Sequence, residues 1–178
     1  MRLGILSDTH RKLLLADVAL EQMGEIDYLL HAGDHFEDAM ELATGRSFSC
    51  KAVVGNCDFF VAGPEEEILE LEGVRLLLTH GHRYQVKSGY QGLLTRARAL
   101  EVQAVIFGHT HRPQMEKEEG ILLFNPGSIG APRDNGGATF GVLEINRGII
   151  RAHIYPVKRA NPDLLLAREK SQIFDRNR

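Results

Sequence analysis

The sequence predicts an α/β protein with a four-layer αββα sandwich, in which helices cover the outer faces of two facing mixed β-sheets. Three observations support this fold class. The first part alternates short apolar strands with segments of helical periodicity, which is typical of parallel strands with covering helices. The second part contains mainly short strands separated by turn residues. Polar clusters rich in Asp, Asn and His follow five strands, and ligand sites of α/β sheets lie at such carboxyl ends.

The first part of the chain is predicted to be a β-α-β-α-β unit. Its strands are expected at residues 3–6, 28–30 and 52–54, and its helices at residues 12–23 and 37–44. The first helix is predicted from apolar residues at helical spacing, and Gly24 can end it. Gly45 closes the second helix in the same way. Strands joined by helices run parallel, so their carboxyl ends should meet at one edge of a sheet.

The second part is predicted to be mainly β-structure. Glu72-Gly73 is a turn signal, which predicts a hairpin between the strands on either side of it. The expected elements are strands at 65–71 and 74–79, a helix at 89–100, and strands at 104–107, 114–117, 121–124, 139–145 and 149–155. A terminal helix is predicted at 162–174. We expect one domain over residues 1–178, with a core of about 1–157 and a polar tail of about 158–178.

Composition limits the classes of function. A chain of 178 residues suits one domain, and 43% hydrophobic with 25% charged residues is typical of a soluble globular protein. The net charge is −3 without a block of like charges, so a broad nucleic-acid or membrane-surface role has no electrostatic support. No apolar run is long enough to span a bilayer. Without an export signal, and with only two cysteines, a cytoplasmic protein is expected.

Five polar clusters suggest a site for two metal ions. They are Asp8-Thr9-His10, Gly33-Asp34-His35, Gly55-Asn56-Cys57-Asp58, His80-Gly81-His82 and Gly108-His109-Thr110-His111. Mixed imidazole, carboxylate and amide ligands suit Mn, Fe, Zn, Co or Ni. Two such ions roughly 3.5–4 Å apart can clamp a phosphate for in-line displacement, and a bridging water becomes hydroxide near neutral pH. Taken singly, an Asp or Asn after a strand is more often a turn or cap residue, and His80 is more often a satisfied, partly buried histidine. The coincidence of five clusters therefore carries the prediction.

Two of the clusters contain ligand-type residues two positions apart. These pairs are Asp8 with His10 and His109 with His111. If each pair continues an extended strand, both of its side chains project from the same side of the backbone and can converge on one region. A helical pair would need a spacing of three or four residues. We therefore expect strand-end pairs.

The ordered series of these motifs, followed by Asn125-Pro126-Gly127-Ser128, resembles the calcineurin-like metallophosphoesterases, and in particular their small prokaryotic phosphodiesterases. The resemblance covers residue 1 to about residue 155 and implies the four-layer sandwich with a dinuclear site. It implies that one metal is held by Asp8, His10 and His111 and the other by Asn56, His80 and His109. Asp34 would bridge both metals, and Asn56 would also touch the substrate phosphate. The segment 125–128 would form a tight loop that supports the site, although a simple Pro-Gly turn explains it nearly as well.

The resemblance names Asp34, Asn56, Cys57 and His80 as the catalytic residues. Many superfamily members have a histidine at the position of Cys57, where it assists the leaving group. A thiol is a poorer hydrogen-bond donor and acid–base group than imidazole, so we expect modest turnover and a preference for good leaving groups.

Other polar side chains near the motifs have open roles. His35 or His82 could supply the proton in place of Cys57, and exposed loop histidines are an equally good interpretation of both. Arg112 and Arg133 could bind phosphate, although a surface arginine is the simpler interpretation of each. His31 is expected to be structural.

The sequence therefore predicts a metal-dependent phosphodiesterase that hydrolyses small phosphodiesters with two divalent metal ions. Mn is the favoured metal, and Ni, Fe, Zn and Co are alternatives. Alternative functions are a nuclease, a phosphomonoesterase or a non-catalytic protein-binding scaffold, a use of this fold that the retromer's metallophosphoesterase-like subunit exemplifies. The complete ligand set favours catalysis, since a scaffold need not keep it. No membrane partner is expected, and a homo-oligomer is left open.

Overall fold

The computed structural model describes residues 1–158, and it confirms the predicted four-layer α/β sandwich. The strands are β1 Arg2–Leu6, β2 Tyr28–His31, β3 Ser49–Ala52, β4 Glu66–Leu71, β5 Val74–Thr79, β6 Ala104–Ile106, β7 Pro113–Glu118, β8 Ile121–Pro126, β9 Thr139–Asn146 and β10 Ile149–Pro156. The helices are α1 Leu13–Met23, α2 Phe36–Ala43 and α3 Gln91–Ala99, and a 3-10 turn covers His82–Tyr84.

Both sheets are mixed and contain five strands. The first sheet has the order β10-β9-β1-β2-β3, with β1, β2 and β3 parallel and β9 antiparallel to both of its neighbours. The second has the order β4-β5-β6-β8-β7, with β5, β6 and β8 parallel and an antiparallel strand at each edge. The parallel strands occupy the centre of the second sheet, whereas in the first sheet β1 and β2 are interior and β3 is an edge strand. Helices and the facing sheet can cover the interior strands.

Three apolar clusters hold the layers together. The largest lies between the two sheets and joins residues such as Ile5 and Leu30 of the first sheet to Leu76 and Phe124 of the second. A second cluster packs α1 and α2 against the outer face of the first sheet, and a third packs α3 against the outer face of the second. The central strands are thus buried on both faces, which accounts for their continuous apolar runs. No helix within residues 1–158 is long and apolar enough to cross a membrane.

Most predicted elements are confirmed, and the largest difference is the third strand. It was expected at 52–54, but it lies at Ser49–Ala52. The strand forms because its backbone pairs with Tyr28–His31, which requires no apolar side chains at its first positions. Val53 still donates its backbone N–H to the carbonyl of His31 at 3.1 Å, so the hydrogen bonding between the two segments continues one residue beyond the strand.

The hairpin turn is confirmed at Glu72 and Gly73, which have φ angles of 50° and 79°. Two positive φ angles are typical of a type I′ turn, whose twist matches that of the two strands. The terminal helix predicted at 162–174 lies outside the described residues, as does the tail from 159 onwards. The division into a core and a polar tail stays a prediction.

The two sheets approach closely where Gly141 of β9 faces the ring of Phe124 in β8. A Cβ atom at residue 141 would lie 2.5 Å and 2.6 Å from two ring atoms of Phe124. We expect Gly141→Ala to lower the free energy of unfolding by about 1–3 kcal/mol, because the two sheets cannot move apart without losing packing contacts in the core. Urea denaturation measures the change. Gly136→Ala is the matched control, because its Cβ would have only ordinary contacts at 3.4 Å or more. Equal changes in the two variants would contradict this account.

Candidate metal centre

The five polar clusters meet at one edge of the sandwich, because they follow β1, β2 and β3 of the first sheet and β5 and β6 of the second. Backbone hydrogen bonds join clusters within each sheet: Asp8 N–H donates to the Gly33 carbonyl at 3.0 Å, and Gly108 N–H donates to the His80 carbonyl at 3.1 Å. Between the sheets, the N–H of His109 donates to Asp8 Oδ2 at 3.2 Å. The cluster that follows β3 is joined by the bond from Cys57 N–H to Asp34 Oδ1 at 2.8 Å, so hydrogen bonds connect all five clusters.

The first group of ligand-type side chains surrounds Asp8. One potential ligand atom from each of Asp8, His10, Asp34 and His111 lies within 4.8 Å of the others. His111 Nε2 lies 3.1 Å from Asp8 Oδ1, and His10 Nε2 lies 3.8 Å from Asp34 Oδ2. Both carboxylates and His111 are buried. These residues are the set that the resemblance assigned to one metal, together with the bridging aspartate.

The second group surrounds His80. Its Nε2 lies 3.1 Å from Asn56 Oδ1 and 3.3 Å from Asp34 Oδ1. The rings of His80 and His109 have centroids 5.1 Å apart. Asp34 therefore directs one carboxylate oxygen towards each group. Together the two groups contain all seven of the metal-type residues expected from sequence, and they are called the candidate metal centre below.

Backbone carbonyls set the tautomers of two histidines. Nδ1 of His80 lies 2.7 Å from the carbonyl oxygen of Ala32, and Nδ1 of His111 lies 2.6 Å from that of Ala131. A carbonyl can only accept, so each Nδ1 carries a proton and donates. In the neutral imidazole, Nε2 then carries a lone pair that faces the candidate metal centre. Histidine ligands of metals are commonly oriented by this kind of hydrogen bond.

Two buried polar atoms in the first group, Asp8 Oδ1 and His10 Nε2, form no hydrogen bond. Buried polar atoms without partners are rare, because each costs the free energy of its lost hydration. Asp8 Oδ1 and His111 Nε2 lie 3.1 Å apart. Two lone pairs at this distance are favourable only with a proton or a cation between them. A divalent cation liganded by these atoms would satisfy both conditions, so the donor set fits a metal ion.

The ionisation of these side chains follows from burial and from neighbouring charges. Burial opposes ionisation of Asp8, but His111, His80 and the hydroxyl of Ser7 together lower its pKa. Contact with Asp8 raises the pKa of His111 against the effect of burial. Burial, His80 and Lys87 lower the pKa of His109 to about 4, so this imidazole is neutral near pH 7. A neutral imidazole and an ionised carboxylate are the forms that ligate metals.

The expectation of extended strand-end pairs was wrong. Asp8, His10, His109 and His111 have φ angles of 52°, 45°, 68° and 59°, so all four adopt left-handed conformations in turns. The His109–His111 pair therefore diverges: His109 lies beside His80, while the His111 ring is 5.1 Å from that of His10. Spacing could not predict this, because the turn conformation is imposed by hydrogen bonds to distant segments.

Two glycines allow the loops to approach each other. A Cβ atom at residue 55 would overlap the backbone nitrogen and the Oδ1 of Asp34. A Cβ atom at residue 108 would overlap Ser7 Oγ and lie 2.8 Å from Asp8 Oδ2. Only glycine leaves room for the two buried carboxylates at these positions. The backbone therefore approaches the neighbouring loop closely at both positions.

The segment 125–128 forms hydrogen bonds with the loops that follow β1 and β6. Asn125 and Pro126 are the last residues of β8 rather than part of a separate loop. The amide of Asn125 donates to the carbonyl of Gly108 at 2.9 Å. The hydroxyl of Ser128 donates to the carbonyl of Asp8 at 2.9 Å. These bonds fix two of the motif turns.

Sequence reasoning missed a buried network centred on Asp38. The N–H of Gly33 donates to His31 Nδ1 at 3.3 Å, which leaves the proton of neutral His31 on Nε2, 3.2 Å from Thr9 Oγ1. The Thr9 hydroxyl and the Arg11 N–H donate to Asp38 Oδ2 at 2.7 Å and 2.9 Å. Burial lowers the pKa of His31 to about 4, which keeps it neutral. The network holds Thr9 and Arg11, the neighbours of His10. In the sequence, Asp38 looks like an ordinary acidic residue in the first turn of a helix, and only the structure shows that it is fully buried.

The remaining candidates lie around the candidate metal centre. Cys57 is partly exposed and donates its backbone N–H to Asp34 Oδ1 at 2.8 Å. Burial and Asp34 raise the pKa of its thiol to about 11. His35 and His82 are half-buried rather than exposed, with rings 5.2 Å from His10 and 5.3 Å from His80. Arg112 and Arg133 are exposed.

Comparison with known proteins agrees with this architecture. Residues 1–148 match the model of the calcineurin-like phosphoesterase superfamily domain. The probable metallophosphoesterase YsnB of Bacillus subtilis is 32% identical over 158 residues, which cover 87% of this chain and 90% of the relative. This protein therefore belongs to the calcineurin-like phosphoesterase superfamily.

Solved structures show the same relationship. A predicted phosphoesterase from Streptococcus pneumoniae TIGR4 superposes with a TM-score of 0.72 and 27% identity, covering 90% of this chain and 92% of that one. The phosphoesterase YfcE of Escherichia coli superposes with a TM-score of 0.62 and 26% identity, covering 89% of this chain and 100% of that one. The fold and its family, expected from the motifs, are thereby confirmed.

The Asp38 network yields a first test of the site. Asp38→Ala would leave the Arg11 N–H without its acceptor and the Thr9 hydroxyl with only its longer bond, 3.4 Å, to the carbonyl of Asp34. We expect the free energy of unfolding to fall by about 1–3 kcal/mol and Mn²⁺ to bind more weakly, because His10 loses its support. Chemical denaturation and calorimetric titration measure the two effects. Glu37→Ala is the control, since exposed Glu37 also pairs with Arg11 and its loss should change stability by only about 0.5 kcal/mol. Indistinguishable variants would refute the positioning role of Asp38.

Proposed function

We propose that this protein is a dinuclear metal-dependent phosphodiesterase that hydrolyses small phosphodiesters. The observation that carries the proposal is the position of the Asp34 carboxylate, with one oxygen near His10 and the other near His80. A carboxylate between one set of carboxylate and imidazole ligands and another of imidazole and amide ligands is suited to bridge two cations. Membership of a metallophosphoesterase family supports the same reaction class.

The proposed ligands follow the two groups. Asp8, His10 and His111 would hold one ion, Asn56, His80 and His109 the other, and Asp34 both. Mn²⁺ is the favoured metal, with Ni, Fe, Zn and Co as alternatives, because the ligands are mixed and none is a thiolate. When bound, the two ions would supply an activated water and positive charge against the phosphate.

Residues of the chain would orient the substrate. Asn56 is exposed, and its Nδ2 lies 3.4 Å from the sulfur of Cys57, a weak partner that a phosphate oxygen can replace. His80 is fully buried and fixed through its Nδ1, so its Nε2 keeps its direction throughout the reaction. Cys57 lies beside Asn56 with a protonated thiol at neutral pH, which can donate only a weak hydrogen bond to a leaving oxygen.

A non-catalytic scaffold is the competing function. Against it stands the group formed by Asp8, His10, Asp34 and His111, in which Asp8 Oδ1 and His10 Nε2 are buried without a hydrogen bond. Burying two carboxylates and several histidines costs stability unless cations compensate it. A protein-binding surface would gain nothing from that cost.

Metal reconstitution tests the proposal directly. Metal-stripped protein should hydrolyse bis-p-nitrophenyl phosphate only after Mn²⁺ is added, and equilibrium dialysis should give two ions per chain. Asp34→Asn should reduce the rate by at least about 100-fold and weaken binding of both ions, because the bridging charge is lost.

The control for that experiment is Asp27→Asn, at the opposite edge of the first sheet, where Asp27 accepts the N–H of Arg2 at 2.6 Å. It should keep both ions and the full rate. Folded protein that binds no divalent metal, or that hydrolyses the diester equally well without it, would exclude the dinuclear mechanism. Metal binding without hydrolysis of any diester would favour the scaffold.

The residue at position 57 should set the dependence on the leaving group. Cys57→His introduces a better proton donor, so diphenyl phosphate, with its poorer leaving group, should gain about tenfold more in rate than bis-p-nitrophenyl phosphate. Steady-state kinetics with both diesters measure the difference. Cys57→Ser, which introduces no acid–base group, serves as the control. An unchanged rate on diphenyl phosphate in Cys57→His would refute this role.

A further inference from the structure

A groove with a basic lining lies next to the candidate metal centre and is not used by the proposed chemistry. Its volume is about 360 Å³, at the lower end of the range for small-molecule sites. We call it the basic groove. It is lined by Val86, Lys87, Tyr90, Thr110, Arg112, Gln114 and Arg133.

The charge of the basic groove differs from that of the whole chain. Its lining includes three cations, Lys87, Arg112 and Arg133, and no carboxylate, whereas the chain carries a net charge of −3. None of the three forms an ion pair with any carboxylate of residues 1–158, although eight other basic residues of that segment do. Glu116 acts on Tyr90 at the groove wall, where burial and this carboxylate raise the pKa of the phenol. A surplus of unneutralised positive charge remains.

The basic groove and the candidate metal centre share one loop. Thr110 lines the groove and lies between His109 and His111 in the sequence. The N–H of Arg133 donates to the carbonyl of His111 at 3.0 Å, and Lys87 is close enough to contribute to the lowered pKa of His109, after burial and His80. A ligand in the groove would therefore lie beside a substrate at the metal ligands.

The walls of the groove are ordered by contacts within the protein. Arg112 Nε donates to the carbonyl of Arg133 at 3.3 Å, which leaves its terminal nitrogens free to donate elsewhere. The ring of Tyr90 packs edge-on against Phe107, with centroids 5.4 Å apart. Partly fixed side chains lose less conformational entropy when a ligand binds.

We propose that the basic groove binds a second phosphate group of the substrate, so that the preferred substrates are small phosphodiesters carrying a further phosphate. This inference rests on the proposed function, because the scissile phosphate must occupy the candidate metal centre. Guanidinium groups match phosphate oxygens with paired hydrogen bonds, and a lysine adds a mobile point charge. The absence of competing carboxylates from the lining leaves these donors available to the ligand.

A matched pair of substrates tests the inference. Thymidine 5′-(p-nitrophenyl phosphate) has only the scissile diester, and its 3′-phosphorylated form adds one phosphate. We expect the Mn²⁺-loaded protein to favour the 3′-phosphorylated substrate by about tenfold or more in kcat/KM, in line with charge-assisted hydrogen bonds. The preference should shrink as ionic strength rises, because the cations are exposed.

Charge-removal variants connect the preference to the groove. Arg112→Ala and the double variant Lys87→Ala/Arg133→Ala should bring the ratio of the two kcat/KM values towards one. Arg151→Ala is the control, because exposed Arg151 lies beside Met1 and Arg2, at the edge of the first sheet where β1 begins. It should keep the wild-type ratio. Calorimetric titration with thymidine 3′,5′-bisphosphate and with thymidine 5′-phosphate should show the same ordering without turnover.

The outcomes separate this inference from the proposed function. Hydrolysis of both substrates with equal kcat/KM would overturn the groove assignment and leave the phosphodiesterase intact. Equal losses on both substrates in the variants would show a structural role and also overturn it. Hydrolysis of neither substrate, with bis-p-nitrophenyl phosphate also left intact, would overturn the proposed function, and the calorimetric comparison then decides the groove alone. Oligothymidylate cleaved with the same kcat/KM as the 3′-phosphorylated substrate would identify the second phosphate as that of a neighbouring nucleotide in a strand.

Discussion

The geometry of the candidate metal centre depends on the burial of two carboxylates, Asp8 and Asp34, whose exposed fractions are 0% and 1%. A buried carboxylate is costly unless hydrogen bonds or positive charges compensate it. Backbone N–H groups of His109 and Cys57 provide one bond to each carboxylate, and the hydroxyl of Ser7 provides another to Asp8. Histidine nitrogens lie close to the other oxygens. A divalent cation between these carboxylates and histidine nitrogens would supply the compensating positive charge. The surrounding loops hold these two side chains where cations can reach them.

The sandwich brings the ligands together because its parallel strands have a direction. Each sheet contains three parallel strands, so the loops that follow these strands lie at one edge. Packing of the two sheets brings the two edges into contact, and hydrogen bonds such as His80 Nδ1 to the Ala32 carbonyl join them. Small residues at the junction, among them Gly55 and Gly108, set the closeness of the approach. The same packing that stabilises the core therefore fixes the distances in the site.

The proposed function and the proposed second phosphate site place chemistry and specificity on different parts of this edge. The candidate metal centre consists of buried, strongly oriented groups, which favours an unchanging reaction geometry. The three cations of the basic groove are exposed, and they lie on the loops that follow β6 and β8 and on the segment before α3. Exposed side chains can vary without disturbing the buried ligands. Division of the site in this way permits one reaction to be directed to different phosphodiesters.

The sequence by itself determined the fold class, the edge on which the site lies and the residue types at the candidate metal centre. Apolar periodicity and turn residues are local properties, and they predicted the hairpin at Glu72-Gly73 and nearly all strands. The bounds of the strand Ser49–Ala52 were not predicted correctly, since backbone pairing with β2 creates this strand.

Tertiary structure alone decided the left-handed turns at Asp8, His10, His109 and His111, and the divergence of His109 from His111. It also decided the Asp38 network and the basic groove, whose members are far apart in sequence. Those features depend on hydrogen bonds and charges between distant segments, which no local pattern encodes.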